Sequence, residues 1–241
     1  MMQHVDLASP EMTSAEMTRK DVEAAIAAAA SRGPVDLTGR RLSGLDLSGL
    51  DLSGAVLRGA KLNKTRLRGA KLDRAILDQA WLMESDLGRA SLRGASIVAA
   101  QMRRATLEGA DLSGARITAD LTGARLTGAV LTGANLGADM KNQSMGLMRA
   151  VLASSNLDGA DLRNADLSRV DLEFASLADA DLSNASLKGA ALGGAALLGV
   201  TVAGTDFDGA DLASARLVAP KGLEAARNFD RARNLDRLFR Q

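Results

Sequence analysis

Gly159-Ala-Asp-Leu-Arg-Asn-Ala-Asp-Leu167 and Gly109-Ala-Asp-Leu-Ser-Gly114 share one five-residue unit: a small residue, Asp or Asn, Leu, and two variable residues, the second often Gly. Working outward, Leu or a close substitute recurs every five residues from Leu37, Leu42, Leu47 and Leu52 to Ile97, Met102 and Ile117. The register returns from Leu121 to Leu136 and again from Leu147 to Leu217, giving 36 units. Two residues before each of these stands a small residue, as at Ala55, Ala60, Ala70, Ala110, Ala160 and Ala210, or Thr65, Ser85, Val170 and Val200. Asp or Asn often comes one before, as at Asp51, Asp86, Asp111, Asn135, Asn156, Asp161 and Asp181.

A period of five suits neither regular element. On an α-helix each step of five rotates by about 140°, so the leucines would spiral round every side. On a flat strand an odd step alternates faces and buries every second leucine. The chain must therefore turn inside each unit, and glycine at the fifth position tolerates the positive φ of such a turn.

The A(D/N)LXX pattern resembles the pentapeptide-repeat family over about three-quarters of the chain. The resemblance implies an all-β solenoid, a right-handed quadrilateral parallel β-helix with four units per coil and with the leucine and the small residue turned inward. At sheet spacing, 36 units then make about nine coils and a rod about 40 Å long with no ligand cavity. Residues 20 apart should stack on neighbouring rungs, where opposite charges attract. Lys64, Glu84 and Arg104 alternate in sign at that spacing, as do Asp46, Arg66 and Asp86, whereas Asp161 and Asp181 repeat one sign.

The expected organisation is a leader and N-terminal capping helix over 1–34, the repeat body over 35–217 with a register break at 118–147, and a C-terminal helix over 218–241. Solenoid ends expose apolar interior and strand edges, so caps are required. Thr18 and Asp21 form a capping-box pattern; Val22, Ala25, Ile26 and Ala29 share a helical face; Gly33-Pro34 stops a helix near 19–31. After Pro220, Ala225, Phe229, Ala232, Leu235 and Phe239 fall on one side of a helical projection, with Arg227, Arg231, Arg233, Arg237 and Arg240 on its flanks. This segment reads as a cap, a homodimer contact, which the resemblance implies for gyrase-directed members, or a membrane-surface helix. Its short length, Asp230 and Asp236 argue against the membrane.

In the break, the step from Ile117 to Leu121 loses one residue and the step from Leu136 to Leu147 regains one. Met140, Met145 and Met148 mark this stretch as a projecting loop with adaptable apolar contacts or as a bulge filled by methionine. Elsewhere, Val56 and Ile76 should stack at outward positions, Val98 follows on the same face and Trp81 projects from the adjacent one, a candidate interaction surface.

Catalytic and cofactor chemistry finds little support. There is no cysteine, and the single histidine, His4, lies in the leader, which removes the central residue of Ser-His-Asp triads and His-rich metal sites. The carboxylates follow the repeat, which strips them of value as acid-base signals. No phosphate-cradling or calcium-binding glycine motif occurs. Neither a cofactor nor a metal is expected. No run approaches 18 apolar residues, and Asp21 and Glu23 interrupt the Val22 to Ala30 stretch, so a cytoplasmic protein is expected.

Net charge is +1, but unevenly spread: −2 over 1–35, +5 over 36–117, −5 over 118–217 and +3 over 218–241. Arg58, Lys61, Lys64, Arg66, Arg68 and Lys71 crowd the first coils, yet aromatics are only 2% of the chain, against direct nucleic-acid binding. The expected role is a non-enzymatic protein–protein interaction scaffold. The family resemblance implies an alternative, a DNA mimic that binds the type II topoisomerase DNA gyrase. DNA carries one charge per about 1.7 Å, and only residues 118–217 show sustained acidity.

Overall fold

The computed structural model describes residues 6–138 and 148–240. Each unit is built from one tight turn. The N–H of Ala110 donates to the Leu107 carbonyl at 3.0 Å, and Ala165 does the same to Leu162 at 3.1 Å. Gly109 between them has φ +62° and Asn164 φ +59°, as a turn with one left-handed third residue requires. The Asp before leucine braces the same corner. Its Oδ1 accepts the N–H two residues on, as in Asp51 to Ser53 (3.1 Å), Asp166 to Ser168 (2.9 Å) and Asp181 to Ser183 (2.9 Å). Asn156 serves equally for Asp158, which is why Asp and Asn interchange there.

Between corners the chain forms four ladders of parallel bridges among the described residues. One runs Asp36, Val56, Ile76, Ser96, Arg116; the others begin Arg41–Lys61–Trp81, Asp46–Arg66–Asp86 and Asp51–Lys71–Ser91. The chain is thus a repeat β-helix. Among the described residues two pairs of segments are long enough to count as strands: β1 (Ser96–Gln101) beside β2 (Arg116–Asp120), and β3 (Ala196–Leu198) beside β4 (Arg216–Val218), both parallel. The leucines and the small residues between the ladders are buried throughout. Where Thr or Ser replaces Ala, its hydroxyl finds a backbone carbonyl: Thr65 to Leu42, Ser85 to Leu82, Thr205 to Leu182.

The register changes at a single corner, between the first two ladders. From Gln101 to Arg116 the partners stand 19 on, at Asp120, Arg125, Val130 and Asn135. Those four residues pair in turn with Val151, Asn156, Asp161 and Asp166, 31 on, before Val151–Asp171 restores 20. The ladder therefore resumes at Val151, sixteen residues after Asn135. Leu147, where the sequence expects the register to return, lies outside the described residues. Met140 and Met145 lie outside the described residues.

The N-terminal cap follows the sequence pattern. Helix α1 (Pro10–Thr13) precedes α2 (Arg19–Ala29), whose capping box joins Thr18 and Asp21. Val22 is fully buried, and Ala25, Ile26 and Ala29 pack on the core. The C-terminal helix does not form. Gly222, Asn228 and Asn234 take φ of 74°, 53° and 59°, each opening a 3-10 turn: Leu223–Ala225, Phe229–Arg231 and Leu235–Arg237. Lys221, Arg227, Arg233 and Phe239 bridge Thr201, Asp206, Asp211 and Arg216. The tail is one more turn of the ladder with six residues per unit, and an amphipathic projection at helical period mistakes it for a helix because Phe229, Ala232 and Leu235 do point inward. No helix among the described residues is long and apolar enough to cross a membrane.

Corner carboxylates also tune acid stability. Hydrogen bonds from Ser48, helped by the Arg66 guanidinium, hold Asp46 at a pKa of about 2. Hydrogen bonding from the Arg163 side chain, opposed by partial burial, brings Asp161 to about 2 from 3.8. The unfolded chain takes up these protons near 3.8 while the fold resists until about 2, so the ionised forms favour the fold above that window and lose their effect as pH falls through it. Asp161→Asn keeps the turn acceptor but not the charge. Its urea midpoint is expected below wild type at neutral pH, with the gap closing between about pH 4 and about pH 2.

Candidate interaction surface

Three residues of each unit face outward, so any binding surface is written in rows that cross the coils. Val56 and Ile76 stand on consecutive rungs of the first ladder, as the 20-residue spacing predicts, and all four residues of that set, with Val98 and Trp81, are half-buried. Val98 is tied down by its N–H, which donates to Asp78 at 3.1 Å. Trp81 lies on the second ladder between Lys61 and Gln101. That ladder carries a feature absent from the sequence reading: residues 10–16 lie along its first rungs. Ala15 bridges Leu42 antiparallel, Asn63 donates to the Met12 carbonyl at 3.2 Å, and Lys61 meets Glu11 at 3.9 Å.

The basic cluster of the first coils is largely neutralised. Lys64 pairs with Glu84, Arg66 with Asp46, Arg68 with Asp86 and Lys71 with Asp51, at 3.2–3.9 Å. Like-charged Asp161 and Asp181 share Arg163, 2.6 and 3.9 Å away. Exposed pairs of this kind each contribute about 0–1 kcal/mol; charge cancels within each pair, and the +5 excess of residues 36–117 stays on the surface. Among the described residues no group of His, Asp and Glu is placed to hold a metal.

Of the C-terminal set, Phe229, Ala232 and Leu235 pack partly on the core, Ala225 is exposed and Phe239 is 60% exposed. Phe229 meets Phe207 edge-on at 5.2 Å, and the Arg240 guanidinium lies 5.4 Å from the Phe229 ring centre. Arg216, Leu235, Asp236, Leu238, Phe239 and Arg240 line an open recess of about 1030 Å³ at this end. Met148, the described member of the methionine set, is half-buried.

The most exposed large hydrophobic of the rod body is one the sequence reading passed over. Phe174 is 69% exposed and sits at a corner with φ +57°, where a bulky residue is an outlier. A Cβ on Gly194, one coil on, would stand 2.6 Å from the Phe174 ring, so that ring lies against bare backbone. The next seventeen-residue stretch of this surface, 189–205, has no charged residue; its outward positions are Gly, Ala and Thr with one Leu, Leu198. The signal was available as a Phe in a glycine column with Gly exactly one coil later; composition hides it.

A rod of corner-turning five-residue units, its core filled by leucine and alanine, defines a class by its fold alone. The pentapeptide-repeats family model matches in eight copies over residues 35–69, 51–89, 85–118, 119–142, 147–184 and 185–218. This chain belongs to the pentapeptide-repeat family. Its structure is similar to that of HetL from the cyanobacterium Nostoc sp. strain PCC 7120, a pentapeptide repeat protein involved in heterocyst differentiation regulation. The two are 31% identical with a TM-score of 0.67 over 90% of this chain and 94% of that one. A trypsin-treated variant of QnrB1, a plasmid-mediated fluoroquinolone resistance protein, shares the fold at 15% identity and a TM-score of 0.52, over 83% of this chain and 89% of that one. Comparison with curated proteins finds no match. Pentapeptide-repeat proteins are generally structural or interaction proteins.

The Phe174 corner is testable through its floor. Gly194→Ala is expected to destabilise by about 1 kcal/mol through positive φ alone, and further by displacing the ring. In a double-mutant cycle followed by urea unfolding, Phe174→Ala should remove the second part, giving a coupling of about 0.5–1 kcal/mol.

Proposed function

We propose that this chain is a non-enzymatic protein–protein interaction scaffold, a right-handed quadrilateral rod of about nine coils whose partner docks on the corner at Phe174. The exposed ring beside an uncharged, small-residue coil carries the reading: such a surface excludes little water by itself and gains by being covered. The filled interior supports a role written on the outside, and HetL's part in regulation is consistent with it. Immobilised wild-type protein should retain a specific protein from its own cells that Phe174→Ala releases; identical retention by both proteins would sink the reading.

The open last coil supports a second contact. Phe239 and the recess around it suit a second copy of this chain, meeting end to end.

A different reading, a DNA mimic that binds DNA gyrase, is favoured by the −5 charge of residues 118–217 and disfavoured by the +5 of residues 36–117. Under the scaffold reading, a supercoiling assay with and without a fluoroquinolone shows neither inhibition nor protection by this protein. Protection would shift the assignment to gyrase.

A further inference from the structure

We infer that the Glu173–Phe174 corner receives an arginine side chain presented by the partner protein; the inference rests on the scaffold reading and gives its contact a chemistry. Six carboxylates of the described five-residue units occupy the outward position just after the leucine. Five are engaged by the following coil. Asp73 accepts from the Ser91 hydroxyl and the Arg93 N–H, Asp78 from Ser96 at 2.6 Å, and Asp158 from Ser176 at 2.5 Å. Glu108 pairs with Arg125, and Asp208 with Arg231 at 3.1 Å.

Glu173 is the sixth, and the residue it meets one coil on is Gly193, whose missing Cβ would lie 3.8 Å from the Glu173 Cγ. Glycine offers no donor side chain, and among the described residues no ion pair or side-chain hydrogen bond engages this carboxylate. Arg149 holds Asp171 at 3.4 Å and the Arg169 carbonyl at 2.9 Å, and Lys188 holds Asp206 at 3.3 Å.

The free carboxylate and the exposed ring are adjacent residues, both leaning over the Gly193–Gly194 pair. A guanidinium fits both at once. Its plane stacks on the aromatic face while its N–H fork reaches the carboxylate, a match that a lysine ammonium makes less well.

The test uses the full chain with labelled phenylalanine, whose four residues are Phe174, Phe207, Phe229 and Phe239, and Phe174→Leu to assign the signal. Acetyl-Gly-Arg-Gly-amide is titrated against its lysine counterpart. The arginine peptide should shift the Phe174 ring saturably at millimolar concentration, about threefold more tightly than the lysine peptide, and Glu173→Gln should weaken it about threefold or more. No saturable shift, equal response to both peptides, or indifference to Glu173→Gln overturns the inference. In the retention experiment, a partner released by Phe174→Ala but held by Glu173→Gln overturns the arginine contact and leaves the scaffold standing. A partner held by both variants removes the scaffold reading at this corner. A dimer that forms only when Phe174 is present also overturns the inference, in favour of a second copy.

Discussion

Once in nearly every described unit the backbone takes positive φ, and most of this molecule follows from that demand. Glycine meets it freely, but seventeen other residues, from Lys64 to Asn234, hold φ between 48° and 62°, each at some conformational cost. The penalty is tolerated because neighbouring coils over-determine the corner with ladder bonds, the turn bond and the Asp brace. Four arginines among them share a second feature. Arg74, Arg89, Arg104 and Arg169 each lie 3.5–3.8 Å from where the Cβ of a glycine one coil on would stand: Gly94, Gly109, Gly123 and Gly189. In these four a long side chain at a corner is laid against a residue that has none. Phe174 over Gly194 is the same device with an apolar occupant, and for that reason the ring is both held and open to contact.

How much was legible in the sequence depends on whether a feature repeats. The five-residue period carries the ladders, and the Val56–Ile76 stacking follows from it. The capping box at Thr18 was legible because it is local. The C-terminal tail was misread because Ala225, Phe229, Ala232, Leu235 and Phe239 satisfy a helical template, while Gly222, Asn228 and Asn234 satisfy a six-residue one; the left-handed φ at those three positions decides for the second. Where the ladder resumes was hidden for a related reason: leucine identity alone does not tell which described residue takes it up, and Val151 does. The Phe174 corner was hidden because its meaning lies in a pair of residues twenty apart and in what Glu173 lacks, neither of which composition records.

Charge is used differently along the rod. In the early coils opposite charges meet across rungs, as Asp46–Arg66 and Asp51–Lys71 do, while the positive excess is carried by residues outside these pairs. In later coils carboxylates also accept hydroxyl or backbone N–H groups, as at Asp158, Asp166 and Asp181.

The ladder spacing bears on how the chain is made. Each coil finds its bonding partners about 20 residues later, so a ribosome need release only one further turn for the growing end to be templated by the turn before, starting from the capped end at α2. At one point the wait lengthens: Asp120 must be joined by Val151, 31 residues on. Loop-closure entropy for 31 residues rather than 20 differs by only about 0.4 kcal/mol. Synthesis thus meets a brief pause in the winding of the rod, after which templating resumes on the same four edges.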